Sequence, residues 1–119
     1  MLSLPPSVRN LLAREPADMR KGFDGLAHLV QGVLAEDPFS GHLFVFRNRR
    51  GDRLKILYWA GDGFALWYRR LEKGTFRFPI PSESEATSVP VKAADLLMLL
   101  EGVDLDRVRR QPRYVRQPA

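Results

Sequence analysis

Cysteine is absent from the 119 residues, and histidine occurs only as His28 and His42. No disulfide framework, no Cys-ligated zinc or iron–sulfur centre and no thiol nucleophile can be built from such a chain. Two histidines are also too few for a His-rich metal site. Long apolar runs are missing too. The longest, Leu96 to Leu100, is five residues, against the roughly 20 that a membrane span needs. The start, Met1-Leu2-Ser3-Leu4-Pro5-Pro6, has neither a basic n-region nor a long apolar core, so no signal peptide and a cytoplasmic location are expected. What remains, 45% hydrophobic and 28% charged, is an ordinary globular composition in a length that suits one domain. Residues 1–106 read as that single α+β domain, and 107–119 as a basic, disordered tail.

Acidic residues are scarce where basic ones are dense. Residues 41–80 hold Arg47, Arg49, Arg50, Arg53, Lys55, Arg69, Arg70, Lys73 and Arg77 against only Asp52, Asp62 and Glu72. The tail holds Arg107, Arg109, Arg110, Arg113 and Arg116 and no acid, while residues 1–40 are slightly acidic. The formal net charge of +5 therefore belongs to a central block and a tail. Arginine supplies most of it, which favours planar, bidentate contacts with phosphate or carboxylate.

Periodicity places a helix over 18–36. Phe23, Leu26, Val30 and Val33 or Leu34 recur at spacings of three and four, with Asp18 as N-cap and Asp37-Pro38 as the stop. Gly22, Gly25 and Gly32 within it each cost helix stability and imply that a backbone or ligand approaches closely. The centre reads as four strands: 42–47, rich in aromatic and β-branched residues; 54–59 and 64–69, which alternate with a period of two; and a short 75–78, with Gly51, Gly61-Asp62-Gly63 and Lys73-Gly74 in the turns. Such short links make an antiparallel meander of four strands. Val8 to Ala13 reads equally as a short strand or a helical turn. Residues 79–91 read as a connecting loop, and 92–101 as a short apolar helix capped by Gly102.

A basic hairpin tip can follow a phosphate backbone, releasing counterions as it does so. Arg47, Arg49, Arg50, Arg53 and Lys55 on one hairpin, and Arg69, Arg70, Lys73 and Arg77 on the next, are the candidate DNA contacts. The plain alternative is a solvated tip whose arginines protect a sheet edge. Trp59 and Trp67 share parity with Lys55 and Arg69 on their own strands and are candidates for base stacking; if both sheet faces are covered, they are core instead. Asp18 and Asp24, with Asp52 and Asp62 in turns, could be assembled into a metal-dependent nuclease site, but their spacing does not require it, and no metal or cofactor is expected. His28 and His42 lack a nucleophile partner at a recognisable spacing.

Three ordered segments carry a family resemblance. They are Asp18-Met19-Arg20-Lys21-Gly22-Phe23-Asp24-Gly25-Leu26, then Gly41 to Phe46 with Asn48 to Arg53, then Lys55 to Trp59 with Asp62 to Gly74. Together they resemble the small TnpB-type accessory protein encoded beside the transposase in the insertion-sequence-sixty-six family of bacterial transposable elements. Leu100-Glu101-Gly102 matches the usual end of that family's final helix; Val8 to Glu15 is less strand-like than in relatives. The resemblance implies a role in transposition beside a larger DDE-type transposase, with Asp18, Arg20, Lys21, Gly22 and Phe23 as family-motif residues. It implies element DNA, the transposase and a further accessory protein as partners. The expectation is a non-enzymatic α+β protein: a four-stranded antiparallel meander packed by one long helix and a short C-terminal helix. The alternative is a protein-interaction subunit of the transposase complex that does not touch DNA.

Overall fold

Leu43 to Phe46 are apolar at every position instead of alternating with polar residues, which is how a strand covered on both faces reads. The computed structural model, which describes residues 8–78 and 80–101, places this strand at the centre of the sheet. Its elements are β1 (Asn10–Ala13), α1 (Phe23–Gly32), β2 (Leu43–Arg47), β3 (Arg53–Trp59), β4 (Phe64–Arg70), β5 (Ser88–Pro90) and α2 (Ala93–Leu100). The strands form one mixed sheet in the order β4-β3-β2-β1-β5. β1 pairs in parallel with β2; every other pairing is antiparallel.

Side chains of β2 alternate between two cores. Phe44 and Phe46 pack with Leu11, Leu57, Leu26 and Val30 beneath α1, while Leu43 and Val45 pack with Leu12, Leu54, Ile56, Leu96 and Leu99 beneath α2. A parallel pair needs a crossover, and α1 provides it between β1 and β2. Among the described residues, the buried polar side chain besides Lys55 is Asn10; its amide nitrogen donates to the Val91 carbonyl at 3.1 Å, and the Val91 amide returns to Asn10 O at 2.8 Å.

The class is α+β, but the four-stranded meander is corrected to three strands, β2 to β4, within five. Thr75–Phe78 is not a strand. Gly74 takes φ +79, and the Phe76 amide then donates to Gly51 O at 2.8 Å. This carries the chain across the end of the sheet with the Phe76 ring buried. Two strands fall where none was assigned: β1 in the ambiguous 8–13 stretch and β5 in the expected 79–91 loop. The short helix is close to expectation; Gly102 and the 107–119 tail lie outside the described residues.

The 18–36 helix contracts to 23–32. Asp18 does not cap it; its carboxylate caps its own turn by accepting the Arg20 amide at 2.9 Å, and Gly22 stands at the N-cap. At the other end the Leu34 and Glu36 amides return to Leu29 O and Val30 O, at 3.1 and 3.0 Å, while Ala35 turns the chain at φ 53. The close approach expected at the glycines is also absent. An added Cβ would meet nothing within 4 Å at Gly22 or Gly32, and only the Lys21 side chain, at 3.1 Å, at Gly25.

Ala35 is exposed and is the described non-glycine residue at positive φ. A Cβ there costs about 1–2 kcal/mol, more than the chain entropy that glycine adds to the unfolded state. Ala35→Gly is expected to raise unfolding stability by about 0.5–1 kcal/mol in a urea titration, and Ala35→Val to lower it.

Candidate nucleic-acid interface

Asn48 builds the turn between β2 and β3. Its Oδ1 accepts the Gly51 and Arg53 amides at 2.9 and 3.0 Å, and its Nδ2 donates to Asp52 Oδ1 at 2.6 Å. Gly51 supplies the φ of +82 that closes the turn. Arg49 and Arg50 are left at the tip, exposed. The Asn48 amide, followed by the fields of Arg50 and Arg53, holds the Asp52 carboxyl below its ordinary range.

A second basic segment is tied to this turn by backbone. Leu71 N–H donates to Asp52 O and Phe76 N–H to Gly51 O, both at 2.8 Å. Lys73 and Arg77, both exposed, thus come to the same end of the sheet as Arg49 and Arg50. Arg53 and Arg70 face each other in register across β3 and β4. Like charges in that position repel; Arg70 pairs with Glu72 at 2.8 Å, and Arg53 Nη1 donates to the Tyr68 hydroxyl at 3.3 Å.

Three of the candidate DNA-binding side chains point elsewhere. Lys55 is 7% exposed; its Nζ donates to Met19 O at 2.7 Å and Lys21 O at 2.9 Å, 4.7 Å from the Tyr68 ring centroid. Arg47 donates from Nη2 to Arg14 O at 2.7 Å and stacks over Phe78 at 5.5 Å, and burial lowers its pKa. Arg69 projects to the α2 side and donates to Leu100 O.

The segment that Lys55 clamps is the Asp18–Phe23 motif. Asp18 binds Arg20 through both carboxylate oxygens, with Oδ2 to Nη2 at 2.7 Å, and Lys21 N–H donates to Asp18 O at 3.1 Å. The Arg20 side chain, then its backbone amide, lowers the Asp18 pKa to about 2. With both oxygens bound to Arg20, Asp18 is poorly placed to hold a metal with Asp24. Among the described residues no three His, Cys, Asp or Glu side chains are grouped to ligate one. A cleft of about 370 Å³ separates this segment from the Asn48 turn, lined by Asp18 and Met19 on one side and Arg49, Arg50, Asp52 and Arg53 on the other. Sequence reading assigned no DNA role to Arg20 or Lys21; their place in the motif beside Asp18 was the available signal.

The tryptophans lie on opposite faces. Ile56 pairs with Trp67 and Trp59 with Phe64, so Trp67 packs on the α2-side core. Trp59 meets Phe39 and Phe64 with ring centroids 5.0 and 5.1 Å away. Six strand steps, about 20 Å, separate Trp59 from Arg53.

An α+β protein whose cations gather on the turns at one end of a five-stranded sheet is the class defined by this geometry. The family model of the IS66 Orf2-like proteins matches residues 8–110, and the chain belongs to that family. It is 38% identical over 112 residues to the uncharacterized protein y4jC of Sinorhizobium fredii, covering 94% of this chain and 93% of the relative. It is 40% identical over 104 residues to the uncharacterized protein y4hO of the same organism, covering 87% and 88%. No solved structure matches. No described helix is long and apolar enough to cross a membrane.

Lys55→Met should cost on the order of 2 kcal/mol, because two carbonyls lose a charged donor, with faster amide exchange at Lys21 and Gly22. Arg49→Ala should stay within about 0.5 kcal/mol of wild type. Asp18 should titrate near pH 2, and in Arg20→Ala return towards its ordinary 3.8, read by NMR. Because its folded pKa is depressed, the Asp18 contribution to stability is present above about pH 4 and lost as pH falls towards 2.

Proposed function

We propose that this chain is a non-enzymatic accessory protein of insertion-sequence transposition that holds the DNA backbone with the basic end of its sheet. The observation that carries the reading is the pair of backbone hydrogen bonds joining Asp52 and Gly51 to Leu71 and Phe76. They gather exposed Arg49, Arg50, Lys73 and Arg77, whose side chains make no hydrogen bond or ion pair among the described residues. Unpaired cations on two adjoining turns suit successive phosphates, which position a protein on a duplex without reading sequence. Arg53 stands beside them at the start of β3, while Arg70 is paired with Glu72. Membership of the IS66 Orf2-like family supplies the link to transposition. Trp59, at the other end of β3, has no place in this interface, and Trp67 is set against the core.

The mixed lining of the cleft, with Asp18 and Asp52 among the arginines, favours a second reading in which a transposase surface, not DNA, fills that end. Co-purification with the transposase or a second element-encoded accessory protein after nuclease treatment, without affinity for duplex, would support it.

For the DNA reading, anisotropy titrations with a fluorescent duplex from the element end should show affinity falling steeply between about 50 and 200 mM salt. Arg49→Ala with Arg50→Ala should flatten the slope of log K against log salt by about 1.8, or 0.9 for each phosphate no longer neutralised. Binding that ignores salt, or no binding at low salt, overturns the proposal.

A further inference from the structure

The end of the sheet opposite the arginines has the reverse character. Asp37 folds the 37–40 turn by accepting the Phe39 amide on Oδ1 at 2.9 Å, and Phe39 is 56% exposed. Trp59 closes β3 and Phe64 opens β4, on either side of the Gly61–Gly63 turn that carries exposed Asp62. The three rings form one cluster, with Trp59 edge-on to both phenylalanines, at 71° and 73°, and Phe39 5.1 Å from Phe64. Of the cations at this end, Arg9 is held by Glu36 at 3.7 Å and Lys92 follows β5, the opposite edge strand.

A partly exposed aromatic cluster whose adjoining turns carry two exposed carboxylates, Asp37 and Asp62, is the chemistry that receives a guanidinium, by stacking on a ring and pairing at its rim. The fitting donor on this same molecule is the Arg49-Arg50 turn at the other end, whose guanidinium groups pair with none of the described residues. From this complementarity we infer that the Phe39–Trp59–Phe64 cluster, with Asp37 and Asp62, docks the Arg49-Arg50 turn of a second copy of the chain. The association joins unlike ends, so copies stacked end to end propagate head to tail. It uses the turn assigned above to DNA, so chain association and DNA binding exclude each other at each turn. The inference rests on the basic end only for its donor; its acceptor is a separate surface.

Sedimentation velocity tests it on the full chain. In low salt the weight-average mass should rise with concentration above the 13.6 kDa monomer. It should return to the monomer at about 1 M salt, where the screening length is about 3 Å. Phe39→Ala with Asp62→Lys, and separately Arg49→Glu with Arg50→Glu, should each weaken association at least tenfold. Mixing the two variants leaves one intact docking pair, so the mixture should stop at a 1:1 dimer. The Phe39/Asp62 variant should still bind duplex at wild-type strength or better, and the Arg49/Arg50 variant should not. A wild-type chain that stays monomeric in low salt, or variants that still assemble, overturns the docking surface whatever the duplex titration shows. Association without duplex binding keeps this inference and removes the DNA reading.

Discussion

The parallel pairing of β1 with β2 is the constraint from which most of the molecule follows. Parallel neighbours cannot be joined by a turn, so the chain must leave β1, cross one face as α1 and re-enter at the start of β2. That crossover fixes which face α1 covers. It also makes β2 an interior strand, with β1 and β5 on one side and β3 and β4 on the other. The end where β2 stops is therefore also where β1 stops and β3 begins. Segments that leave or enter the sheet there must share one small area, among them residues 14–22, the Asn48 turn, residues 71–78 and Thr87 ahead of β5. The Ala17 amide on Arg47 O at 2.8 Å is one seam between them, and the Gly51–Phe76 bond is another.

Crowding cations into that area carries a Coulomb cost, and the structure lowers it unevenly. Lys55 and Arg47 turn inward and become donors to backbone carbonyls, holding the 18–22 segment and Arg14 in place. Arg20 and Arg70 are neutralised by Asp18 and Glu72. Among the described residues, Arg49, Arg50, Lys73 and Arg77 have no such local answer. Exposed ion pairs add little stability, so leaving these four unpaired costs the fold little while keeping their charge available to a partner. The family motif acquires a physical meaning in the same way: Asp18 and Arg20 set the conformation of a segment whose carbonyls receive Lys55.

Legibility in the sequence followed the distance over which each interaction acts. β2, β3 and β4 were readable because their partners are the next segments along and Gly51 and Gly61 sit in the links. β1 and β5 were not, because four and three residues carry little periodicity and β1 finds its partners in β2 and β5, more than thirty positions ahead. Asp18 resembled an N-cap because the same short side chain that caps a helix also caps a turn. The parity of the tryptophans misled for a different reason. Alternation orders faces within one strand, and only the register between strands, Ile56 opposite Trp67, relates one strand's faces to the next. Similarly, the run of basic residues marks one end of the sheet, but only burial separates Arg47 and Lys55 from Arg49 and Arg50.

Charge is distributed unevenly along the sheet: the Asn48 turn carries Arg49 and Arg50, whereas Asp37 and Asp62 lie on turns at the other end. A net charge of +5 therefore understates the difference between the two ends. A polyanion approaching such a body is oriented before it touches the surface, because the far end repels it while the near end attracts it. That orienting field acts on a DNA strand and on a second copy alike, and it weakens as ionic strength rises. Shape at close range must then decide between them, and the two ends differ there: the cleft beside the Asn48 turn is lined by polar and charged side chains, whereas the opposite end offers aromatic rings.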